Sequence, residues 1–203
     1  MGGNASSILL KGNIIMAKGS QFERDICRQL SLWWTNGESD SVFWRTSNSG
    51  GRATVRSRKG LKTKNHYGDI MAVDPIGEPF LKFFTVELKR GYNRHSIADL
   101  LDQDKPLYFQ WIKKACKEVT EAGSKNWLLI VKRDRRETIV MMPLHAAEHI
   151  TSNFSAIINR PIIRIAAMSM RHFLGISPKW IIKDVQLSLL EKLPAAQKTE
   201  TEV

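Results

Sequence analysis

The order of helical and strand patterns along the chain restricts its fold more than any other feature of the sequence. Apolar side chains recur at helical spacing over residues 20–35, and again between Leu107 and Gly123. Short apolar segments typical of β-strands lie between and after these two helices. This order predicts an α/β fold in which helices flank a mixed central β-sheet.

Turn residues and apolar runs indicate where the strands lie. Asp69–Val73 and Leu81–Lys89 are predicted to form a hairpin, joined by the turn residues of the segment 74–77. A second strand pair is predicted at 127–132 and 137–142, around a charged turn. These segments supply most of the strands of the predicted sheet.

The same patterns divide the chain into four parts. We expect a flexible leader over residues 1–17 and a core domain over 18–142. Residues 143–193 have apolar spacing that predicts a helical extension packed on this core. The polar residues 194–203 are expected to form a disordered tail.

Charge and cysteine usage narrow the class of protein. The chain has 203 residues and a formal net charge of +11, which favours a polyanionic partner, above all nucleic acid. No apolar run approaches the roughly 18 residues that cross a membrane, so we expect no membrane association. Two cysteines cannot build a disulfide scaffold, and free thiols predict a cytoplasmic location.

Much of the net positive charge lies in a polar loop over residues 46–65. No acidic residue occurs between Arg45 and His66. The glycines of this loop would allow close approach to a phosphate backbone, whereas the alternative is a solvated loop whose charge aids solubility. The loop residues that we predict to contact DNA are Arg52, Arg56, Arg58, Lys59, Lys62 and Lys64.

Asp69 and the run Glu87-Leu88-Lys89 form the candidate catalytic group. Glu87 and Lys89 are two residues apart in a predicted strand, so their side chains project from the same face. Pairing of the predicted strands would place Asp69 beside them. Two carboxylates and an ammonium group suit phosphodiester hydrolysis assisted by a divalent cation. The alternative is a surface strand that carries a common Glu–Lys pair.

Gly68-Asp69 and Glu87-Leu88-Lys89 together resemble the signature of the PD-(D/E)XK nuclease superfamily. The wider pattern is similar to the archaeal-type Holliday junction resolvases, which open with a helix like Gly19–Arg24. They continue with an arginine like Arg45 and a Ser-Gly-Gly loop like Ser49–Gly51. In one departure from the signature, Gly68 stands where the superfamily has a proline.

The resemblance implies a restriction-endonuclease-like core and a Mg²⁺-dependent endodeoxyribonuclease in which Mn²⁺ can substitute. It implies a branched or four-way-junction DNA as partner, and a homodimer, because two strands are cut symmetrically. So compact a nuclease fits a viral or mobile-element origin. The implied roles are metal ligation by Asp69, Glu87 and the backbone carbonyl of Leu88, catalysis by Lys89 with Glu23 as an accessory acid, and phosphate contact by Arg45 and Ser49.

Two acids have competing interpretations. Glu23 follows Ser20 by three residues, so it also fits a capping box at the start of the first helix, and the two roles can coexist. Asp74 is a rival for the first acid of the motif. We favour a turn at Asp74, because Asp-Pro-x-Gly is typical of turns.

A zinc motif and the tryptophans give weaker evidence of a functional role. His145, Glu148 and His149 match a zinc signature on a helix, but no third ligand can be identified, so we favour a partly exposed helix start. Trp44, Trp180 and most other tryptophans fall in apolar patterns and are expected to pack in the core.

Two other functions are compatible with these motifs. One is a restriction-type or repair-type nuclease with the same core, in which the C-terminal residues recognise the target. The other is a non-catalytic DNA-binding protein that keeps the fold. The intact set of Asp69, Glu87 and Lys89 argues against the second, and metal-dependent cleavage would distinguish an enzyme from a binding protein.

Overall fold

The computed structural model describes residues 5–46 and 67–183. The helices are α1 (Ala5–Trp34), α2 (Glu78–Phe83), α3 (Asp99–Asp102), α4 (Leu107–Ala122), α5 (Leu144–Ile150) and α6 (Met170–Leu174). The strands are β1 (Phe43–Arg45), β2 (Ile70–Ala72), β3 (Phe84–Arg90), β4 (Asn126–Lys132), β5 (Ile139–Pro143), β6 (Ala156–Arg160) and β7 (Ile163–Ser169). A turn of 3₁₀-helix, Pro75–Gly77, connects β2 to α2.

A five-stranded mixed sheet forms the centre of the fold. Its strand order is β3-β4-β5-β7-β6; β3 and β4 are parallel, and the other neighbours are antiparallel. One face of the sheet packs against α1, α2, α5 and α6, and the other face packs against α4. The predicted α/β class, a mixed sheet flanked by helices as in restriction-endonuclease-like proteins, is confirmed.

The first helix begins at Ala5, well before residue 20, where the sequence patterns predicted its start. No proline occurs in this segment to stop the helix. The leader expected over residues 1–17 is therefore helical from Ala5 onward. The predicted capping box is wrong, because Ser20 and Glu23 lie inside the helix.

The hairpin predicted between Asp69 and Lys89 is also wrong. Strand β2 pairs with β1 in a separate two-stranded antiparallel sheet, whereas β3 lies in the central sheet.

The carboxylate of Asp74 accepts a hydrogen bond from the Ile76 backbone N–H at 2.9 Å and starts the 3₁₀-turn. Helix α2 follows because Phe80 and Phe83 bury one of its faces in the core. Asp74 is thus the turn residue that the sequence favoured.

The helical extension predicted over 143–193 is wrong for a large part of that segment. Strands β6 and β7 form an antiparallel pair that extends the central sheet, and only the short helices α5 and α6 accompany them. Ile165–Met168 in β7 is buried on both faces of the sheet. A strand of this kind carries a continuous apolar run, which sequence periodicity does not distinguish from a buried helix. The predicted tail lies outside the described residues.

The remaining elements agree better with the sequence. Helix α4 ends at Gly123 as predicted, and β4 and β5 pair as predicted. Trp44 and Trp180 are half-exposed, so the expectation that they pack in the core is wrong. Among the helices of the described residues, none is both long and apolar enough to cross a membrane.

Candidate active site

Asp69 is fixed against the outer edge of β3, the terminal strand of the central sheet. Its backbone N–H donates to the Val86 carbonyl at 2.8 Å, and its carboxylate oxygen Oδ2 accepts from the Leu88 backbone N–H at 2.7 Å. From the other side, the backbone N–H of Thr46 donates to the Asp69 carbonyl at 3.0 Å. These bonds place the first acid beside the strand that carries Glu87.

Gly68 allows the chain to approach β3 this closely. Its φ is +75°, and a Cβ atom at this position would lie 2.7 Å from the carbonyl oxygen of Val86. Proline fixes φ near about −65°, so it cannot adopt this conformation. The replacement of the motif's proline by Gly68 therefore has a local reason: the left-handed backbone conformation of Gly68 brings Asp69 against β3.

Glu87 projects toward α4 and is fully buried. Lys89 donates to its carboxylate oxygen Oε1, and Lys114 donates to both oxygens at 2.9 Å each. A buried carboxylate is costly unless it is paired, so these two ammonium groups stabilise the charge of Glu87. The structure thus brings Glu87 and Lys89 together on one face, at the strand edge that receives Asp69.

Two further residues of this cluster, Lys114 and Glu118, were not predicted from the sequence; they lie one turn apart on α4. The Nζ atom of Lys114 is 3.2 Å from Oε1 of Glu118. Burial opposes the charged form of Lys114, but hydrogen bonding and attraction to Glu87 outweigh it and raise the pKa of Lys114. Burial, followed by repulsion from Glu87, raises the pKa of Glu118. One feature of the sequence could have indicated them. Lys114 and Glu118 lie beside the apolar stripe of α4, and this stripe has to face the sheet that carries Glu87.

The ionisation of Asp69 is opposed by its surroundings. Burial, and after it the negative charge of Glu87, raise the pKa of Asp69 to about 7. The ammonium group of Lys89 and the hydrogen bond from the Leu88 amide act in the opposite direction but are weaker. A divalent cation bound beside these carboxylates would stabilise the charged form of Asp69.

We expect the metal-free protein to lose stability as the pH rises from about 4 to about 7. Asp69 has a higher pKa in the folded state than its ordinary value of 3.8, so in this window the folded protein binds more protons than the unfolded chain. The free energy of unfolding then falls with rising pH. Denaturant unfolding in the presence of a chelator measures this slope.

The matched variant for this pH dependence is Asp69→Asn, which cannot ionise. Glu118 titrates in the same sense, so the relevant quantity is the difference in slope between the wild type and the variant. Equal slopes in the two proteins would contradict a buried, repelled carboxyl group at position 69.

Glu23 and Arg45 lie next to this cluster. The Oε2 atom of Glu23 is 3.6 Å from Nε of Arg45, and Arg45 also donates to the hydroxyl of Ser20. Burial first, then the charge of Glu23, raise the pKa of Cys27 to about 12, with smaller effects from Arg45 and Asp69. Arg45 lies opposite Ile70, the residue after Asp69, and its side chain contacts Glu23 and Ser20 of α1, so Glu23 and Arg45 lie on the α1 side of Asp69.

The donor atoms at the edge of β3 suit a hard divalent cation. They are the carboxylates of Asp69 and Glu87 and the backbone carbonyl of Leu88, which in an extended strand points to the same edge as the Leu88 N–H. Mg²⁺ binds such oxygen atoms and retains several waters. Within residues 5–46 and 67–183, no three His, Cys, Asp or Glu side chains are grouped to hold a metal, so backbone and water oxygens would complete the shell.

The other predicted site residues do not join this cluster. His145, Glu148 and His149 are exposed on α5, where the His145 ring is hydrogen-bonded to the Asn126 amide at 2.8 Å. This arrangement is the partly exposed helix start that the sequence favoured over zinc binding. The predicted DNA contacts that lie outside the described residues are Ser49, Arg52, Arg56, Arg58, Lys59, Lys62 and Lys64.

A mixed sheet whose edge strand carries Glu-x-Lys, with an aspartate held against that edge, defines a protein of the PD-(D/E)XK nuclease type. The chain belongs to the family described as phage putative PDDEXK endonuclease, whose model matches residues 15–183. The match includes every described strand, β6 and β7 among them, and the phage family fits a viral or mobile-element origin. Comparisons with curated proteins and with solved structures give no match.

Proposed function

We propose that this protein is a Mg²⁺-dependent endonuclease that hydrolyses phosphodiester bonds in DNA. The observation that carries the proposal is the meeting of Asp69, Glu87 and Lys89 at the outer edge of β3, where the Asp69 carboxylate accepts from the Leu88 amide. Membership of an endonuclease family supports the same chemistry.

Each side chain has a distinct role in the proposed reaction. Asp69 and Glu87 would hold the cation, which supplies an acidified water and neutralises charge on the phosphate. Lys89 donates to Glu87 and to the Leu88 carbonyl, and its third N–H bond is available to orient the attacking water and stabilise developing negative charge. Glu23 pairs with Arg45, which lies opposite Ile70 next to Asp69, and is the proposed accessory acid.

Lys114 is a positioning residue in this proposal, because it contacts both oxygens of Glu87. We expect Lys114→Met to lower kcat by about 10-fold to 100-fold with little change in KM for DNA, as is typical when the partner of a metal ligand is removed. The matched control is Lys117→Met on the same helix, since Lys117 is exposed and pairs with Glu121. Steady-state cleavage assays compare the variants, and equal kcat values in both would contradict this role.

We further propose that the substrate is a branched DNA, namely a four-way junction, cut by a homodimer in the cytoplasm. The support is the similarity of Gly19–Arg24, Arg45 and Ser49–Gly51 to the archaeal-type resolvases. Symmetric cleavage of two strands requires two active sites, which a dimer supplies. Cys27 and Cys116 are both free thiols, as expected in a reducing compartment.

A cleavage assay with labelled DNA tests these proposals. The full chain is incubated with Mg²⁺ and, in separate reactions, with a four-way junction, linear duplex, single-stranded DNA and flapped DNA, with chelator as the control. We expect paired symmetric nicks in the junction and no products with chelator. Light scattering in the same buffer gives the oligomeric state.

Each other outcome identifies a different function. Cleavage of linear or flapped DNA would keep the proposed active site but assign the protein to the restriction or repair type of nuclease. Tight, salt-sensitive binding without cleavage in Mg²⁺ or Mn²⁺ would overturn the nuclease proposal in favour of a DNA-binding protein. A monomer that cuts one strand of the junction would overturn the resolvase proposal.

A further inference from the structure

A second concentration of positive charge lies at the carboxyl ends of the parallel strands β3 and β4, where residues 90–95 and 132–136 lie side by side. We name these two segments the basic platform. They contain a single acidic residue, Asp134. The basic residues of the platform are Arg90, Arg94, Lys132, Arg133, Arg135 and Arg136.

Hydrogen bonds tie the two segments of the basic platform together. The Asn93 amide group donates to the Asp134 carboxylate at 2.9 Å, and its oxygen accepts from the Asp134 backbone N–H at 2.8 Å. The Gly91 N–H donates to the Lys132 carbonyl at 3.0 Å, and Arg133 donates to the His95 carbonyl at 3.3 Å. The basic side chains therefore project from a braced surface and not from two independent loops.

The charge of this surface is largely uncompensated. The carboxylate of Asp134 is engaged by Asn93 and lies 3.8 Å from Arg90. Arg94, Arg135 and Arg136 are exposed, and their side chains form no ion pair or hydrogen bond with the part of the chain that the structure describes. Guanidinium groups without protein partners are suited to phosphate oxygens, which they bind through two parallel hydrogen bonds.

The basic platform continues the strand that carries the proposed catalytic residues. Lys89 is followed directly by Arg90, the first residue of the basic platform. At about 3.3 Å per residue, the platform begins roughly 10 Å beyond Glu87 along the strand direction. This separation corresponds to about three base steps of a duplex at 3.4 Å per step.

We propose that the basic platform binds the phosphate backbone of the duplex that flanks the cleaved bond, beginning about three base pairs from it. This inference rests on the proposed nuclease function and adds a second contact surface to it. Arg94, Arg135 and Arg136 make the phosphate contacts. Asp134 and Asn93 hold the two segments at a fixed separation. The contacts are independent of base sequence, because they involve phosphate oxygens.

The test compares two double variants that each lose two positive charges. Arg135→Gln/Arg136→Gln removes charge from the basic platform. Lys82→Gln/Lys117→Gln removes exposed charge near the opposite end of β3 and β4. Binding of each full-length protein to a fluorescein-labelled linear duplex is followed by anisotropy in chelator over a range of salt concentrations. Single-turnover cleavage in Mg²⁺ at saturating DNA is measured in parallel.

The platform variant is expected to lower the slope of log K against log salt by about 1.8, since each lost phosphate contact contributes about 0.9. The control variant should keep the wild-type slope. The control variant should also cleave bound DNA at the wild-type rate, because neither of its substitutions lies in the catalytic group or in the basic platform.

Two results would overturn the inference in distinguishable ways. If the wild type cleaves DNA but the platform and control variants have the same salt slope, the platform does not bind the backbone and the nuclease function stands. If the wild type neither binds nor cleaves DNA, the proposed function fails and the platform fails with it.

Discussion

Asp69→Asn is expected to reduce Mg²⁺-dependent DNA cleavage by at least about a thousandfold. The variant removes one of the two carboxylates proposed to hold the cation, whose stabilisation of transition-state charge is worth several kcal/mol, and about 4 kcal/mol corresponds to a thousandfold in rate. Asparagine keeps an oxygen that can accept from the Leu88 amide, so the local fold is preserved. The measurement is the single-turnover rate with saturating DNA and Mg²⁺.

Asp74→Asn is the matched control, because Asp74 is the rival acid five residues later in the chain. Its side chain caps the 3₁₀-turn, and asparagine can make the same hydrogen bond to the Ile76 N–H. The control should cleave DNA at the wild-type rate. Full activity in Asp69→Asn, or equal losses in the two variants, would show that the first acid of the motif has been assigned to the wrong residue.

Gly68→Ala is expected to lower the cleavage rate by about a hundredfold while the chain still folds. A methyl group there would stand 2.7 Å from the Val86 carbonyl oxygen, in a backbone conformation with φ of +75°. The segment must move away from β3, and it moves Asp69 with it. A displacement of about 1 Å in an active site is enough for a hundredfold loss. Circular dichroism and single-turnover cleavage separate folding from activity.

Gly123→Ala supplies the control for the backbone strain in Gly68→Ala. Gly123 has a similar φ of +69°, but a Cβ atom added there would have no neighbour within 4 Å among the described residues. We expect the variant to lose about 1 kcal/mol of stability, the cost of a left-handed alanine, and to retain its activity. If both alanine variants retain activity, the close approach of Gly68 to β3 does not position Asp69.

The sequence was most informative where local periodicity determines geometry. Residues two apart in a strand share a face, so Glu87 and Lys89 could be placed together from their spacing alone. Helix α4 could be located from its apolar stripe and from the glycine that ends it. The α/β class followed from the order of such segments.

Long-range pairing was less predictable. Asp69 does lie beside the strand that carries Glu87, but it is held there along the outer edge of β3, next to a separate two-stranded sheet and not in a hairpin with β3. Lys114 contacts Glu87 because α4 crosses the face of β3, and no local pattern in the sequence measures that crossing. Strand β7 was not predicted, because a strand buried on both faces lacks the alternation of apolar and polar residues that identifies a half-exposed strand.

The junction between the two sheets has a consequence for how this protein would lose activity. Asp69 lies at the end of the β1–β2 pair, and Glu87 belongs to the five-stranded sheet; two hydrogen bonds, to Val86 and from Leu88, connect the first acid to the edge strand. A subglobal opening that releases the small sheet separates the two acids and exposes Phe43 and Ile70, while the five-stranded sheet and the core on its α4 face stay packed. Cleavage is therefore expected to fail on warming before the helical signal melts, and amide exchange at Asp69 and Leu88 would report that opening.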